Sequence, residues 1–439
     1  MSRRIGSATA VMALAGGVLL ASAPTASADY VRDQQWALKA YAAEDVWAVS
    51  QGEGVTVAVI DSGVDTTHPD LSGQILDGKD FTGEGKPHED LAGHGTAMAS
   101  IIAGHGHGPG NRDGVMGLAP KAKILPLRVL RTRKDPMRDV TWAAALRHAV
   151  DQGAQVVNMS FANDGGRTGS DGREAIAYAQ AHDVVLVACS GNEGSIAVSE
   201  PAALPGVISV GAHDKNGNLW EDSNTGKGLD LVAPGAEIVA ADANEGELYG
   251  RSNGTSDSTA FVSATAALVR AKYPELSAGQ VINRLIKSAS FAHHKGLKAP
   301  DEEYGYGIVR PYSALTMDIP AGPKANPLGH LTPPAPPSHA PAKDTGVAAQ
   351  TSSRNVIVIA AGGGVLLITA LIAWLITRSR RRTPQSGMPP HMTGDPYPPP
   401  QPPAGYHPYP NGAPQHGYTP PQAPPQPNPY AQQPPYQGH

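Results

Sequence analysis

Cysteine is almost missing from this chain: 439 residues contain one, Cys189. No internal disulfide can form, so stability has to come from core burial. Cys189 closes the apolar run Val184-Val185-Leu186-Val187-Ala188 and reads as a small buried hydrophobe rather than a nucleophile. Positive charge is also scarce. Residues 29–353 carry 27 Lys and Arg against 38 Asp and Glu, a formal balance of −11. Such a surface excludes general electrostatic binding of nucleic acid or anionic lipid. No H-E-x-x-H pattern or comparable ligand set accompanies His105-Gly106-His107, which argues against a metal hydrolase and for a glycine-rich loop. No metal and no cofactor is assigned.

Composition divides what remains. Ser2-Arg3-Arg4, the apolar stretch from Val11 to Leu20 and Ala26-Ser27-Ala28 have the form of a secretory signal peptide over residues 1–28. An extension at 29–54 precedes a large domain at 55–319. Residues 320–353 are rich in Pro and Ala and read as an extended linker. Val356 to Thr377 is an uncharged run of 22 residues, enough to cross a bilayer core of ~30 Å, so 354–378 is expected to be a single transmembrane helix. Arg378, Arg380, Arg381 and Arg382 follow it and, by the positive-inside rule, leave that end in the cytoplasm. The tail at 379–439 has Asp395 as its only acidic residue and no Lys or Arg beyond Arg382; it cannot build a core and is expected to be disordered. The expected localisation is the cell membrane, single-pass type I, with the folded domain extracytoplasmic.

Inside the large domain short β-branched runs alternate with helix-period segments. The pattern predicts strands at 55–60, 124–130, 155–159, 184–188 and 207–210. It predicts helices from Asp139, as N-cap, to Gly153 and from Arg173 to His182. Continuous apolar strands separated by helices imply an α/β fold with a parallel sheet covered on both faces. Ligands of such sheets bind beyond the carboxyl ends of the strands, and Asp61 stands at one such end.

Three blocks carry chemistry: Val59-Ile60-Asp61-Ser62-Gly63, then Gly93-His94-Gly95-Thr96, then Gly254-Thr255-Ser256. A serine hydroxyl needs a base, and the base an orienting carboxylate; Ser256, His94 and Asp61 supply one of each. Ser256 precedes the helical spacing of Phe261, Ala264 and Leu268, which places its Oγ at a helix N-terminus. Gly93 and Gly95 are read as room for substrate beside His94.

The Asp, His, Ser order and the glycines around each block resemble the subtilase superfamily from about Trp36 to Leu315. The resemblance implies a subtilisin-like fold and a serine endopeptidase acting on protein or peptide substrates through an acyl-enzyme. It implies that Asn192, in Ser190-Gly191-Asn192-Glu193-Gly194, belongs to the oxyanion hole with the Ser256 N–H. It also implies that Ser160, Phe161 and Ala162, after Asn158-Met159, pair with the substrate backbone. Supporting blocks are Gly117-Leu118-Ala119-Pro120, Val232-Ala233-Pro234-Gly235 and Tyr304-Gly305-Tyr306-Gly307. Asp257-Ser258-Thr259-Ala260-Phe261 replaces the family's Met-Ala-x-Pro-His, so Ser258, two places off the motif, is expected to be a helix-surface or packing residue rather than the nucleophile. Asp70 matches a calcium-ligating position of some members, but the loop from Gly108 to Gly117 lacks the usual partners. Arg131, Arg133, Lys134 and Arg138 are read in two ways, as charges that favour acidic residues upstream of the scissile bond or as a solvated basic loop. Trp36, Trp47 and Gly52-Glu53-Gly54 resemble the extension of mycosins, membrane-anchored subtilases associated with type VII secretion. That implies exported proteins as substrates and secretion membrane components as partners. The alternative is a mainly non-catalytic, stabilising part of a secretion assembly.

Overall fold

A computed structural model describes residues 28–132, 134–163, 166–243, 248–291 and 294–332. Its first elements are three short helices, α1 (Ala28–Gln34), α2 (Trp36–Ala40) and α3 (Ala43–Val49). Strand β1 (Thr56–Asp61) follows, then the two-residue β2 (Lys79–Asp80) and α4 (His94–Ala103). A small antiparallel hairpin, β3 (His105–His107) with β4 (Asp113–Met116), leads to β5 (Lys123–Arg128). Next come α5 (Asp139–Asp151), β6 (Val156–Met159), α6 (Ser170–Ala181) and β7 (Val185–Cys189). Strands β8 (Ile208–His213) and β9 (Leu231–Pro234) complete the main sheet. A hairpin, β10 (Ile238–Ala241) and β11 (Tyr249–Ser252), precedes α7 (Thr255–Lys272), α8 (Ala278–Ser288) and α9 (Pro311–Thr316).

Among the described residues the main sheet has seven strands in the order β2-β5-β1-β6-β7-β8-β9, all paired in parallel. Successive side chains of β1 point to opposite faces, as strand geometry requires. Val57 and Val59 pack with Ile102 of α4 and with Val262 and Ala266 of α7. Ala58 and Ile60 pack on the other face with Trp142 and Leu146 of α5 and Ile176 of α6. Both faces are therefore core, which is why these strands read as unbroken apolar runs. Each fully buried Val or Ile contributes about 1.5–3 kcal/mol relative to exposure.

Helix α7 is buried on all sides from Thr255 to Arg270. Its many Ser and Thr residues tolerate this because their hydroxyls find acceptors: Thr259 Oγ1 donates to Thr255 O at 2.7 Å and Ser263 Oγ to Asn158 Oδ1 at 2.9 Å.

Two expectations change, on Asp139 and on residues 320–332. Asp139 begins α5 but does not cap it; its Oδ2 accepts the Gly172 N–H at 2.9 Å and so holds the first turn of α6 instead. The 29–54 extension packs against the rest of the domain. Gln35 Nε2 donates to Met116 O at 2.8 Å and Gln35 Oε1 accepts the Met116 N–H at 2.9 Å, while the indoles of Trp36 and Trp47 donate to Ala236 O and Leu118 O at 3.0 Å. Residues 320–332, assigned to the linker, belong to the folded domain: Asn326 Nδ2 donates to Gly206 O at 2.9 Å and Leu331 N to Gln180 Oε1 at 2.8 Å. Among the described residues no helix is long and apolar enough to cross a membrane. The signal peptide expected at 1–28 lies, except for Ala28, outside the described residues, as do the linker from 333 to 353, the span at 354–378 and the tail at 379–439.

Two buried groups couple this core to pH. Burial holds His213 down to about 4, against an ordinary 6.5, although the Asp214 carbonyl at its ring favours the charged form. Burial pushes Asp230 up to about 7 from 3.8, against the hydrogen bonds from Ser209. For His213 the unfolded chain takes up a proton first, so its contribution falls as pH drops from 6.5 towards 4. For Asp230 the folded chain keeps its proton longer, so its contribution is present below 3.8 and is lost as pH rises through 7. Denaturant unfolding between pH 4.5 and 7.5 should therefore give opposite slopes relative to the parent. His213→Gln should gain towards acid and Asp230→Asn towards neutrality, each on the order of 2 kcal/mol.

Candidate active site

Asp61 is the last residue of β1, buried, beside Arg128 at the end of β5. His94 is the first residue of α4, and its Nδ1 lies 2.8 and 2.9 Å from the two carboxylate oxygens of Asp61. The main chain has to pass very closely here. A Cβ on Gly95 would stand 2.0 Å from Gly63 O, and one on Gly63, at φ +104°, 2.2 Å from Glu89 O. These glycines serve backbone packing rather than room for substrate, which corrects the sequence reading of Gly95; Gly93, at φ 71°, supplies the left-handed turn before the helix.

Ser256 lies in the first turn of α7. Its Oγ donates to Ser160 O at 3.1 Å, while Ser160 Oγ donates to Ser256 O at 3.1 Å and accepts from Asn158 Nδ2 at 2.9 Å. The segment after β6 is thus clasped to the start of α7. Phe161 turns inward against Trp142, ring centroids 5.7 Å apart, and Ala162 is half-buried. Ser258 is fully buried and donates to Ala233 O and Pro234 O at 3.0 and 3.1 Å, so it packs against the end of β9.

Asn192 is oriented by Thr255, whose N–H and Oγ1 both donate to Asn192 Oδ1, at 2.9 and 2.8 Å. With its oxygen engaged, the amide NH₂ has a fixed direction. A Cβ built on Gly254 would stand 3.5 Å from Asp257 Oδ2, 3.6 Å from Ser256 N and 3.8 Å from Asn192 Nδ2. Two hydrogen-bond donors thus flank one small space at a helix N-terminus, where the backbone dipole favours negative charge. Cys189 packs behind this turn. Burial pushes its thiol up to about 12, with weaker opposing hydrogen bonds to Thr255 and Ser256, so it is an inert packing group.

His94 borders two cavities. One, of about 220 Å³, is lined by Asp61, His94 and Ser160 with Leu130, Met137 and Phe161, and is mostly apolar. The other, of about 160 Å³, is lined by His94, Asn192, Gly254, Ser256, Asp257 and Arg251, among others. Asp257 accepts the Ser252 hydroxyl at 2.9 Å.

Asp70 does not fit a calcium site. Its Oδ1 meets His107 Nδ1 at 2.6 Å and its Oδ2 accepts the Val115 N–H at 2.8 Å, while Arg32 of α1 donates to the carbonyls of Asn111, Asp113 and Gly114. The donors a cation would need are already satisfied, and among the described residues no group of three or more His, Cys, Asp or Glu is placed to hold a metal. Arg131, on one reading a charge that attracts acidic substrates, is already paired with Glu84 and Asp135, and Arg133 lies outside the described residues.

Sequence reasoning missed Thr255 as the residue orienting Asn192, and missed Asp90, which binds Ser62 beside Asp61 and Thr96 in the first turn of α4. Neither carried a local signal: Asp90 stands three residues ahead of Gly93, the N-cap of α4.

Residues 52–307 match the Subtilase family, Peptidase_S8. The chain is 36% identical over 273 residues to the thermophilic serine proteinase of Bacillus sp. (strain AK1), covering 62% of this chain and 64% of that protein. It thus spans just under two thirds of that relative. Thermitase of Thermoactinomyces vulgaris is 34% identical over 244 residues, 55% of this chain and 83% of its own. The crystal structure of MycP1 from the ESX-1 type VII secretion system superposes with a TM-score of 0.58 and 29% identity, covering 70% of this chain and 90% of that one.

The space beside Gly254 can be tested directly. Gly254 has φ 172°, open to any residue, and a Cβ there meets nothing closer than 3.5 Å. Gly254→Ala should therefore leave the melting temperature within a degree or two, yet lower kcat for a peptide substrate about tenfold or more by filling the space between the two donors. Unchanged kcat would show that the space is not used.

Proposed function

The chain belongs to the subtilase family of serine proteases, and on that premise we propose that it is a membrane-anchored, extracytoplasmic endopeptidase acting with a type VII secretion system. The observation that carries the catalytic part is the 2.8 Å contact of His94 Nδ1 with the buried Asp61 carboxylate, with His94 and Ser256 lining one cavity.

In this reading His94 Nε2 takes the Ser256 proton as Oγ attacks the scissile carbonyl, and later returns it to the leaving amine. Asp61 fixes the tautomer that leaves Nε2 unprotonated and stabilises the imidazolium that forms. The oxyanion develops in the space between Ser256 N and Asn192 Nδ2; electrostatic stabilisation there is strong because the donors need no reorganisation. Substrate backbone lies along Ser160, Phe161 and Ala162, a segment that continues the C-terminal end of β6, as an added strand does in β-augmentation. The apolar cavity next to Ser160 accepts the residues upstream of the cleaved bond. Water then releases the acyl group by the reverse proton path.

The anchoring reading rests on the apolar run from Val356 to Thr377, the arginines after it and the signal-like segment at 1–28. Likeness to a secretion-system protease supports the partners: exported proteins as substrates and secretion membrane components as neighbours. The scaffolding alternative gains nothing from a buried Asp–His pair, which costs desolvation that a purely structural surface would avoid.

Peptide hydrolysis tests the chemistry. Ser256→Ala, His94→Ala and Asp61→Ala should each lower kcat by about 10⁴ or more, and the double variants should lose little further, because the three act as one unit. Ser258→Ala should retain kcat within a few fold if the fold holds. In cells, Ser256→Ala should stop processing of exported proteins while the secretion assembly stays intact. Unaffected processing would favour scaffolding.

A further inference from the structure

The buried carboxylate of Asp90 is not explained by the chemistry above. Asp90 is 7% exposed and sits in the loop between β2 and α4. Five donors converge on it. Its Oδ1 accepts from Ser62 Oγ at 2.8 Å, Ala92 N at 3.1 Å and Gly93 N at 2.9 Å; its Oδ2 accepts from Thr96 N at 2.8 Å and Thr96 Oγ1 at 2.7 Å. Both oxygens face donors, so the site is built for a carboxylate and would place the NH₂ of an amide against N–H or O–H groups.

The two sets of donors belong to opposite halves of the catalytic pair. Ser62 follows Asp61, and its N–H and Oγ lie 2.8 and 3.2 Å from Asp61 Oδ1. Thr96 and Gly93 belong to the first turn of α4, whose first residue is His94. The Gly95 N–H adds a cross-link by donating to Ser62 Oγ at 3.1 Å. We propose that Asp90 is a positioning residue for proteolysis. It ties the strand end that carries Asp61 to the helix start that carries His94, fixes their separation, and adds an anionic charge bonded to Gly93, the residue before His94. The inference rests on Asp61 and His94 acting as described under Proposed function.

The hydroxyl of Ser62 has one proton and two carboxylates within reach, Asp90 at the shorter distance. Donation to Asp90 leaves Asp61 oriented chiefly by the Ser62 N–H and the imidazole. A resting Asp61 that is not over-solvated by hydroxyls holds the His94 proton more firmly, which favours the imidazolium formed as Ser256 attacks. Other charges face His94 as well: Asp61 from β1, Arg251 from β11, Asp242 just after β10, and Asp257 from α7. All of them remain when Asp90 is changed, so the effect of one substitution can be read against a constant background.

The test compares Asp90→Asn, Ser62→Ala and Thr96→Ser in the full chain, with active protein counted by a fluorophosphonate that reacts with Ser256. Asp90→Asn should lower kcat per active site about 10- to 100-fold, with KM within about twofold, and should move the acidic limb of kcat against pH downward by about half a unit or more. Thr96→Ser keeps every hydrogen bond and should behave like the parent. A merely structural cap predicts something else: a lower melting temperature with kcat and the acidic limb unchanged for the folded fraction. That result overturns the proposal. If Asp90→Asn does not fold, Ser62→Ala decides, since it keeps the helix cap and cuts the link to Asp61. Its kcat per active site should fall at least about fivefold, whatever the lost Gly95 N–H partner does to the melting temperature, and parental kcat overturns the proposal. Failure of the catalytic reading itself is distinguishable, because Ser256 would then not take the fluorophosphonate.

Discussion

A carboxylate buried at the end of a parallel strand must find its donors inside the fold, and the environment of Asp61 is organised by that demand. The imidazole of His94, the Ser62 N–H and the Ser62 hydroxyl all approach it. Each of those groups is held in turn: the loop before α4 bonds to Ser62 and Thr96 through Asp90, and Gly63 and Gly95 let two backbones meet where a side chain would not fit. Arg128, fully buried next to Asp61 in the strand register, faces Asp80 and Glu89 at 3.9 and 3.7 Å and contacts the Glu84 carbonyl, so it anchors the same loop from below. Hydrogen bonds to buried charged groups are worth roughly 1.5–3 kcal/mol each, and losing one leaves a group that water cannot reach.

The second constraint is α7. It is surrounded by core on every side, so the spacing of Phe261, Ala264 and Leu268 marks the helix but not an exposed face; small residues let β6, β7 and β8 approach its backbone. That burial makes the position of Ser256 rigid. The reciprocal bonds between Ser160 and Ser256 and the grip of Thr255 on Asn192 then set the approach of substrate and the space for developing charge from the same helix turn.

Segments outside the central sheet behave as parts of the domain. The helices at 28–49 close one side through Gln35, Trp36 and Trp47, and Arg32 occupies loop carbonyls that a bound cation would otherwise satisfy. Residues 320–332 close another side across Gly206 and Gln180. Pro and Ala content suggested an extended linker there, because composition reports what a segment would do alone and not whether a surface is waiting for it.

The sequence by itself determined the parallel character of the sheet, five of its seven described strands and the three blocks bearing Asp61, His94 and Ser256; β2, β9 and the two hairpins were not read from it. The strands and blocks that were read are legible because burial on both strand faces demands unbroken β-branched runs, and because close backbone approach demands glycine at fixed offsets. It did not determine what Gly95 makes room for, that Asp139 caps its neighbour's helix, that Arg131 is already paired, or that Asp90 grips both halves of the Asp61–His94 pair. Those depend on which groups meet across 28 to 47 positions of chain. Hydrogen-bond partners at that separation are chosen by how strands and helices pack, a property of the assembled layers that no local pattern of residues records.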